Sequence, residues 1–129
     1  MVMVDTSVWI DYFNGQHNFY TDHLDTLLEQ DFVVIGDIIL AEILQGFRED
    51  AHFNRAKSAL VNLKCFPITN KKLAIRSALN FRTLRKKGIT VRKTTDVLIG
   101  TFCIENQIPL LFNDRDFDPM VEHLGLVPA

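Results

Sequence analysis

Met1 to Phe13, MVMVDTSVWIDYF, is an apolar, β-branched run that ends on an acid and turns at once into a helix. No polar residue interrupts Met1–Val4, so it reads as a strand buried on both faces. Thr6 or Ser7 then offers a hydroxyl to cap a helix reaching about Phe13. The same strand-to-helix unit recurs. Phe32–Ile35 is a second buried strand, after which Gly36 turns the chain and Asp37 stands where it would cap a helix from Ile38 to about Gln45. Pro109–Phe112 is a third strand, followed by Asn113, Asp114 and a short helix from Asp116 to about His123. The spacing of apolar residues between these units predicts helices over Asn18–Gln30, Asp50–Leu63 and Thr95–Asn106. It also predicts a basic amphipathic helix capped by Asn70 and running to Lys87, where Gly88 stops it. Cys65–Ile68 is expected as a short strand, and Leu126 and Val127 as an edge strand. Buried strands alternating with helices indicate an α/β fold with a central parallel sheet. Such sheets bind ligands at the carboxyl ends of their strands, which directs attention to Asp5 and Asp114.

The chain has 129 residues, of which 47% are hydrophobic and 23% charged. That is the size and balance of one ordinary globular domain, expected to span residues 1–129. The N-terminus lacks a basic leader and Asp5 breaks its apolar run, so no signal peptide is expected. No stretch is long and uncharged enough for a bilayer, and the expected location is the cytoplasm. Cys65 and Cys103 form no CxxC, which argues against a disulfide framework or a thiolate zinc site. HExxH, GxxxxGK[ST], GxGxxG and GxSxG are all absent.

The net charge of −2 conceals a strong segregation. Between Ala51 and Thr95 there is no acid, yet that block carries 12 of the 14 Lys and Arg residues. Its formal charge is +12, against −14 for the remainder, where two Arg face all 16 acids. Such asymmetry points to a surface for a polyanion, although charge runs are often only solvated helix faces.

Most acids lie where helix faces or caps are expected. Glu42, in IILAEIL, and Asp96, in TTDVLIGTFC, do not, because their neighbours demand burial. A bare carboxylate in an apolar interior costs several kcal/mol or more unless it is paired, protonated or bound to a cation. Asp5 ends a hydrophobic strand, and Asp114 and Asp116 follow another. Singly, each has an ordinary explanation: Asp5 and Asp114 as caps, Glu42 and Asp96 as partners of a buried Arg. Together they describe converging carboxylates whose mutual repulsion a hard divalent cation would relieve. Mg²⁺ or Mn²⁺ suits oxygen donors of this kind.

These segments resemble the PIN domain, and in particular the VapC-type toxins of type II toxin–antitoxin pairs. The matching pieces are VDTSVWIDYF around Asp5, LAEILQGF around Glu42, RKTTDVLIGTFC around Asp96 and LLFNDRDFDP around Asp114 and Asp116. The resemblance implies an α/β/α sandwich with a central parallel sheet and a Mg²⁺- or Mn²⁺-dependent endoribonuclease. It also implies a homodimer and a small cognate antitoxin protein as partner. Carried onto this chain, the catalytic acids are Asp5, Glu42, Asp96, Asp114 and Asp116, with Asp116 favoured over Asp114 as the main fourth acid. Asp5 and Asp96 are expected to hold the metal directly or through water. Glu42, Asp114 and Asp116 would hold a second ion or orient hydrated metal, and a metal-activated water would attack the RNA phosphodiester. Thr6 and Ser7 supply the hydroxyls expected behind the first acid. Phe112 stands where many relatives have a hydroxyl residue, and Asn113 offers a polar group beside it. Arg82, Arg85, Lys86, Lys87, Arg92 and Lys93, nearest the Asp96 helix, are the expected RNA-binding residues. Two other readings compete: a catalytically degenerate PIN-like RNA-binding module, and a receiver-type phosphoacceptor domain. The latter expects adjacent acids after the first strand, and this chain has DTS there.

Overall fold

The computed structural model describes residues 1–129. Four short parallel strands form the sheet: β1 (Val2–Val4), β2 (Val33–Gly36), β3 (Lys64–Phe66) and β4 (Leu110–Leu111), in the order β3-β2-β1-β4. β1 is central. Val2 N donates to Phe32 O at 2.8 Å on one side, and Asp5 N to Leu111 O at 2.9 Å on the other. Burial on both faces explains why these strands read as continuous apolar runs.

Helices α1 (Thr6–Phe13) and α2 (Phe19–Glu29) join β1 to β2, and α3 (Asp37–Gln45) and α4 (Asp50–Leu60) join β2 to β3. Helices α5 (Lys71–Lys86) and α6 (Thr94–Glu105) carry the chain across the sheet to β4. Both first crossovers step the same way, and the third steps back. Right-handed crossovers therefore put α1–α4 on one face and α5–α6 on the other. A 3₁₀ turn (Arg115–Phe117) and α7 (Asp118–Leu124) follow β4. This is the expected α/β architecture with a central parallel sheet.

Several boundaries move for identifiable reasons. α4 ends at Leu60 rather than Leu63, because the chain must turn to let Lys64 pair with Val34. β3 starts one residue early and stops before Pro67, which cannot donate to a ladder. The expected edge strand at Leu126 and Val127 reduces to one bridge, Leu110 to Pro128. Asp37 is not the cap of α3. Gly36 holds that position, and Asp37 Oδ1 instead accepts from Ile38 N at 2.8 Å and Ile68 N at 3.0 Å, pinning the loop after β3 to the end of β2.

α5 and α6 run antiparallel. Arg76 pairs with Glu105 at 2.7 Å, and buried Asn80 donates to Thr101 at 3.0 Å. The C-terminus of α5 therefore lies beside the N-terminus of α6. α6 is buried on nearly all sides, from Asp96 and Val97 to Phe102 and Cys103, so it carries no amphipathic signal.

Gly36 shows how closely the pinned loop approaches the sheet. A β-carbon there would overlap Cδ1 and Cγ1 of the fully buried Ile68. Gly36→Ala is expected to lower stability by about 1–3 kcal/mol through overpacking. Ile68→Val, which removes the nearer atom, should recover part of the loss. Urea denaturation midpoints of the two single variants and the double variant check this.

Candidate active site

The winding direction reverses between β1 and β4, and a crevice opens outside the carboxyl ends of these two strands. Four elements send acids into it. Asp5 follows β1 directly and sits at the N-cap of α1. Glu42 lies in the second turn of α3, Asp96 in the first turn of α6, and Asp114 at the head of the 3₁₀ turn. A pocket of about 130 Å³ is lined by Asp5, Thr6, Ser7, Ile10, Glu42, Lys93, Asp96 and Asp114. At roughly 30 Å³ per water, it has room for an ion and a few waters.

Asp116 does not line this pocket. Its carboxylate joins those of Asp96 and Asp114 in a second group, with candidate ligand atoms all within 4.8 Å of one another. Asp96 and Asp114 thus belong to both groups. Asp114 also accepts from Asp116 N at 2.9 Å, so its capping role and its place in the cluster coexist.

Consecutive hydroxyls at the start of α1 hold two of the acids. Thr6 Oγ1 donates to Glu42 Oε1 at 2.9 Å, and Ser7 Oγ lies 3.0 Å from Asp5 Oδ2. Ser7 Oγ also lies 2.8 Å from Asn113 Oδ1, reaching from the end of β1 to the end of β4.

Asp5 and Asp96 are buried, at 4% and 5% exposure. Glu42 is only half-buried, which corrects the expectation from its apolar neighbours. Ile39 and Ile43 take the inward face of α3, and residue 42 falls to one side of it. Burial pushes the Asp5 carboxyl up to about 6, against the pull of Ser7 and the Thr6 and Ser7 amides; Glu42 adds a smaller push. Asp96 rises to about 7, mainly from burial and then from the charge of Asp5, with Lys93 opposing. These directions describe a cluster short of positive charge. Asp5, Glu42, Asp96 and Asp114 have no Lys or Arg partner within ion-pair distance; the single ion pair in the cluster is Arg92 with Asp116, at 4.0 Å. The buried-Arg explanation for Glu42 and Asp96 therefore does not hold. Asp96 Oδ2 is buried and lacks any hydrogen-bond partner. An unpartnered buried carboxylate oxygen among hard oxygen donors fits a divalent cation.

The expected RNA-binding residues divide. Lys93 lines the pocket and Arg92 faces Asp116. Arg82, Arg85, Lys86 and Lys87 are exposed on the last turns of α5 and just beyond, at the same end of the α5–α6 pair as Asp96. Arg85 lies over the Phe81 ring at 5.5 Å. Lys72 and Arg76 lie at the far end, by Glu105. Ile10 is the pocket residue that sequence reasoning missed. Its position three residues after Ser7 puts it on the same helical face, which is a legible signal. Buried Cys103 has its thiol pushed up to about 12, by burial and then by Asp5, so it is inert as a ligand. No helix is long and apolar enough to cross a membrane.

The chain matches the PIN domain family over residues 2–121. It is 32% identical over 132 residues to VapC ribonuclease Mb1587 of Mycobacterium bovis, covering 100% of this chain and 98% of that one. Ribonuclease VapC11 of Mycobacterium tuberculosis matches with the same identity and coverage. Among solved structures, VapBC2 from Rickettsia felis, bound to a DNA fragment from its promoter, superposes with a TM-score of 0.76 at 20% identity, covering 100% of this chain and 98% of that one. A toxin–antitoxin complex from Klebsiella pneumoniae gives 0.73 at 19% identity, covering 98% and 96%. FitAcB from Neisseria gonorrhoeae gives 0.72 at 16%, covering 99% and 96%. These structures share the fold, and the match in sequence places the chain more narrowly: it belongs to the PIN-domain family and, within it, to the VapC group.

Proposed function

We propose that this chain is a divalent-metal-dependent endoribonuclease and the toxin of a toxin–antitoxin pair. The observation that carries this reading is the unpartnered, buried Asp96 Oδ2 beside Asp5, Glu42 and Asp114, none of which has a Lys or Arg within ion-pair distance. Asp5 and Asp96 would hold Mg²⁺ or Mn²⁺, with Glu42, Asp114 and Asp116 holding its waters or a second ion. A divalent ion, when bound, supplies Lewis-acid charge at a phosphate and makes water a better nucleophile.

The chain's own residues supply the rest. Thr6 and Ser7 fix the acids on which they bear. Lys93, at the pocket, offers an ammonium to a phosphate oxygen. Arg82, Arg85, Lys86, Lys87 and Arg92 offer further charge along an RNA backbone, giving affinity without sequence choice. RNA as substrate follows the relatives named as ribonucleases. A small antitoxin partner follows the toxin–antitoxin complex among the structural neighbours. The excess of negative charge in the crevice suits an antitoxin side chain that brings a cation to it. Pairing of two copies and a cytoplasmic location complete the proposal.

Asp96→Asn is expected to slow RNA cleavage on the order of 100-fold or more in Mg²⁺, with the fold retained. Full activity in that variant would sink the assignment, and a chelator should abolish wild-type cleavage until Mg²⁺ or Mn²⁺ is restored. Arg85→Ala with Lys86→Ala should weaken RNA binding across sequences. Each cation removed from a phosphate should flatten the salt dependence by a slope of about 1.

Linkage sets the pH dependence of the metal-free protein. Asp5 and Asp96 have folded-state values near 6 and 7, above the ordinary 3.8. The folded state therefore binds more protons than the unfolded one, and stability present at low pH is lost as pH rises through those values. At pH 8 without divalent ions, Asp96→Asn is expected to be more stable than wild type by up to about 4 kcal/mol, an advantage that vanishes near pH 4. Mn²⁺ should raise the wild-type melting temperature at pH 8 and leave that of the variant nearly unchanged.

A further inference from the structure

Ser7 Oγ is the one side-chain donor to Asp5, and its geometry contains a conflict. It lies 3.0 Å from Asp5 Oδ2 and 2.8 Å from the Asn113 side-chain oxygen. A hydroxyl carries one proton. While Asp5 is a carboxylate, that proton can serve one of these oxygens, and the other approach sets two acceptors against each other in a part-buried place. The oxygen and nitrogen of an asparagine amide are fixed only by their hydrogen-bond network. Turning the amide by half a rotation puts Nδ2 at the 2.8 Å position and removes the conflict. The nitrogen then donates to Ser7 Oγ, and Ser7 donates to Asp5 Oδ2.

We propose that Asn113 is a positioning residue: its Nδ2 donates to Ser7, committing the single Ser7 proton to Asp5 and fixing the carboxylate that faces the pocket. The chain of donors runs one way, from the loop after β4 to the end of β1. It spans the crevice and ties together the two strand ends between which the acids gather. Asn113 touches no reacting group and acts through Ser7 and Asp5. The inference deepens the metal-site reading, because its consequence for function is a better-oriented metal ligand. Residues behind metal ligands commonly act in this way, and their loss typically costs 10–100-fold in affinity.

Two measurements test it. In the metal-free protein, the Asn113 side-chain amide protons are followed by ¹H–¹⁵N NMR. They are expected to exchange slowly and to shift in Ser7→Ala. Signals that exchange fast and do not move would overturn the donor chain whether or not the protein binds a metal. Mn²⁺ affinity is then measured by electron paramagnetic resonance for wild type, Ser7→Ala, Asn113→Ala and the double variant. Each single change is expected to weaken binding on the order of tenfold. The double change should weaken it no further than either alone, since both break the same chain. An Asn113→Ala protein that binds Mn²⁺ as wild type does, or losses that multiply in the double variant, would overturn the proposal. A wild-type protein that binds no Mn²⁺ would overturn the metal-site reading instead, leaving the amide signals to decide the inference. Asn113 is half-buried in a loop, so its truncation leaves no core cavity, and melting temperatures should stay near wild type.

Discussion

The charge on Asp96 is the constraint around which this structure is arranged. A carboxylate at 5% exposure, with one oxygen unpartnered and Asp5 as its strongest charged neighbour, is disfavoured by burial and by the charges of Asp5, Asp114 and Glu42, against which stand only Lys93 and the N-terminal end of α6. Folding tolerates it because the rest of α6 buries Val97, Ile99, Phe102 and Cys103 in the core. Apolar burial along one helix thus holds a charge where water would otherwise take it out. The result is a cluster whose charges oppose one another before any ligand arrives, which is the property the proposed cation would relieve.

The sheet decides who the neighbours are. β1 and β4 pair through Met3 with Leu110 and Val4 with Leu111, so Asp5 and the Asn113–Asp116 segment emerge side by side although more than 100 residues separate them. α3 and α6 approach the same crevice from opposite faces and contribute Glu42 and Asp96. Each acid therefore depends on a different long-range pairing, and no local segment holds the site alone.

Much of this was legible in the sequence, for physical reasons that differ by element. The strands were readable because burial on both faces leaves an uninterrupted apolar run. Asp96 was readable because its neighbours left no solvated place for it. The same argument overreached at Glu42, since an apolar stretch of helix still has an edge and one residue lies on it. The role of Asp37 was not readable, because its partner Ile68 belongs to a distant loop. The link between Ser7 and Asn113 was hidden for the same reason: strand order, which no residue pattern states, brings them together. The basic block was visible as a run of charge. Its division into a crevice end and a remote end appeared only with the antiparallel pairing of α5 and α6.

The first turn of α1 presents two hydroxyls side by side, and each grips an acid from a different part of the chain. The helix thereby works as a gauge for the spacing of Asp5 and Glu42. Further along, Phe13 meets Phe47, just beyond α3, at 6.0 Å, and Trp9 of the same helix stacks on Phe13 at 5.8 Å, so α1 is braced against the end of α3 by aromatic packing. Those rings do not line the acidic pocket and look like ordinary filling. Their shape nevertheless bears on the distance between the Asp5 and Glu42 carboxylates, so drift in this aromatic cluster would shift the spacing of the acids without touching them.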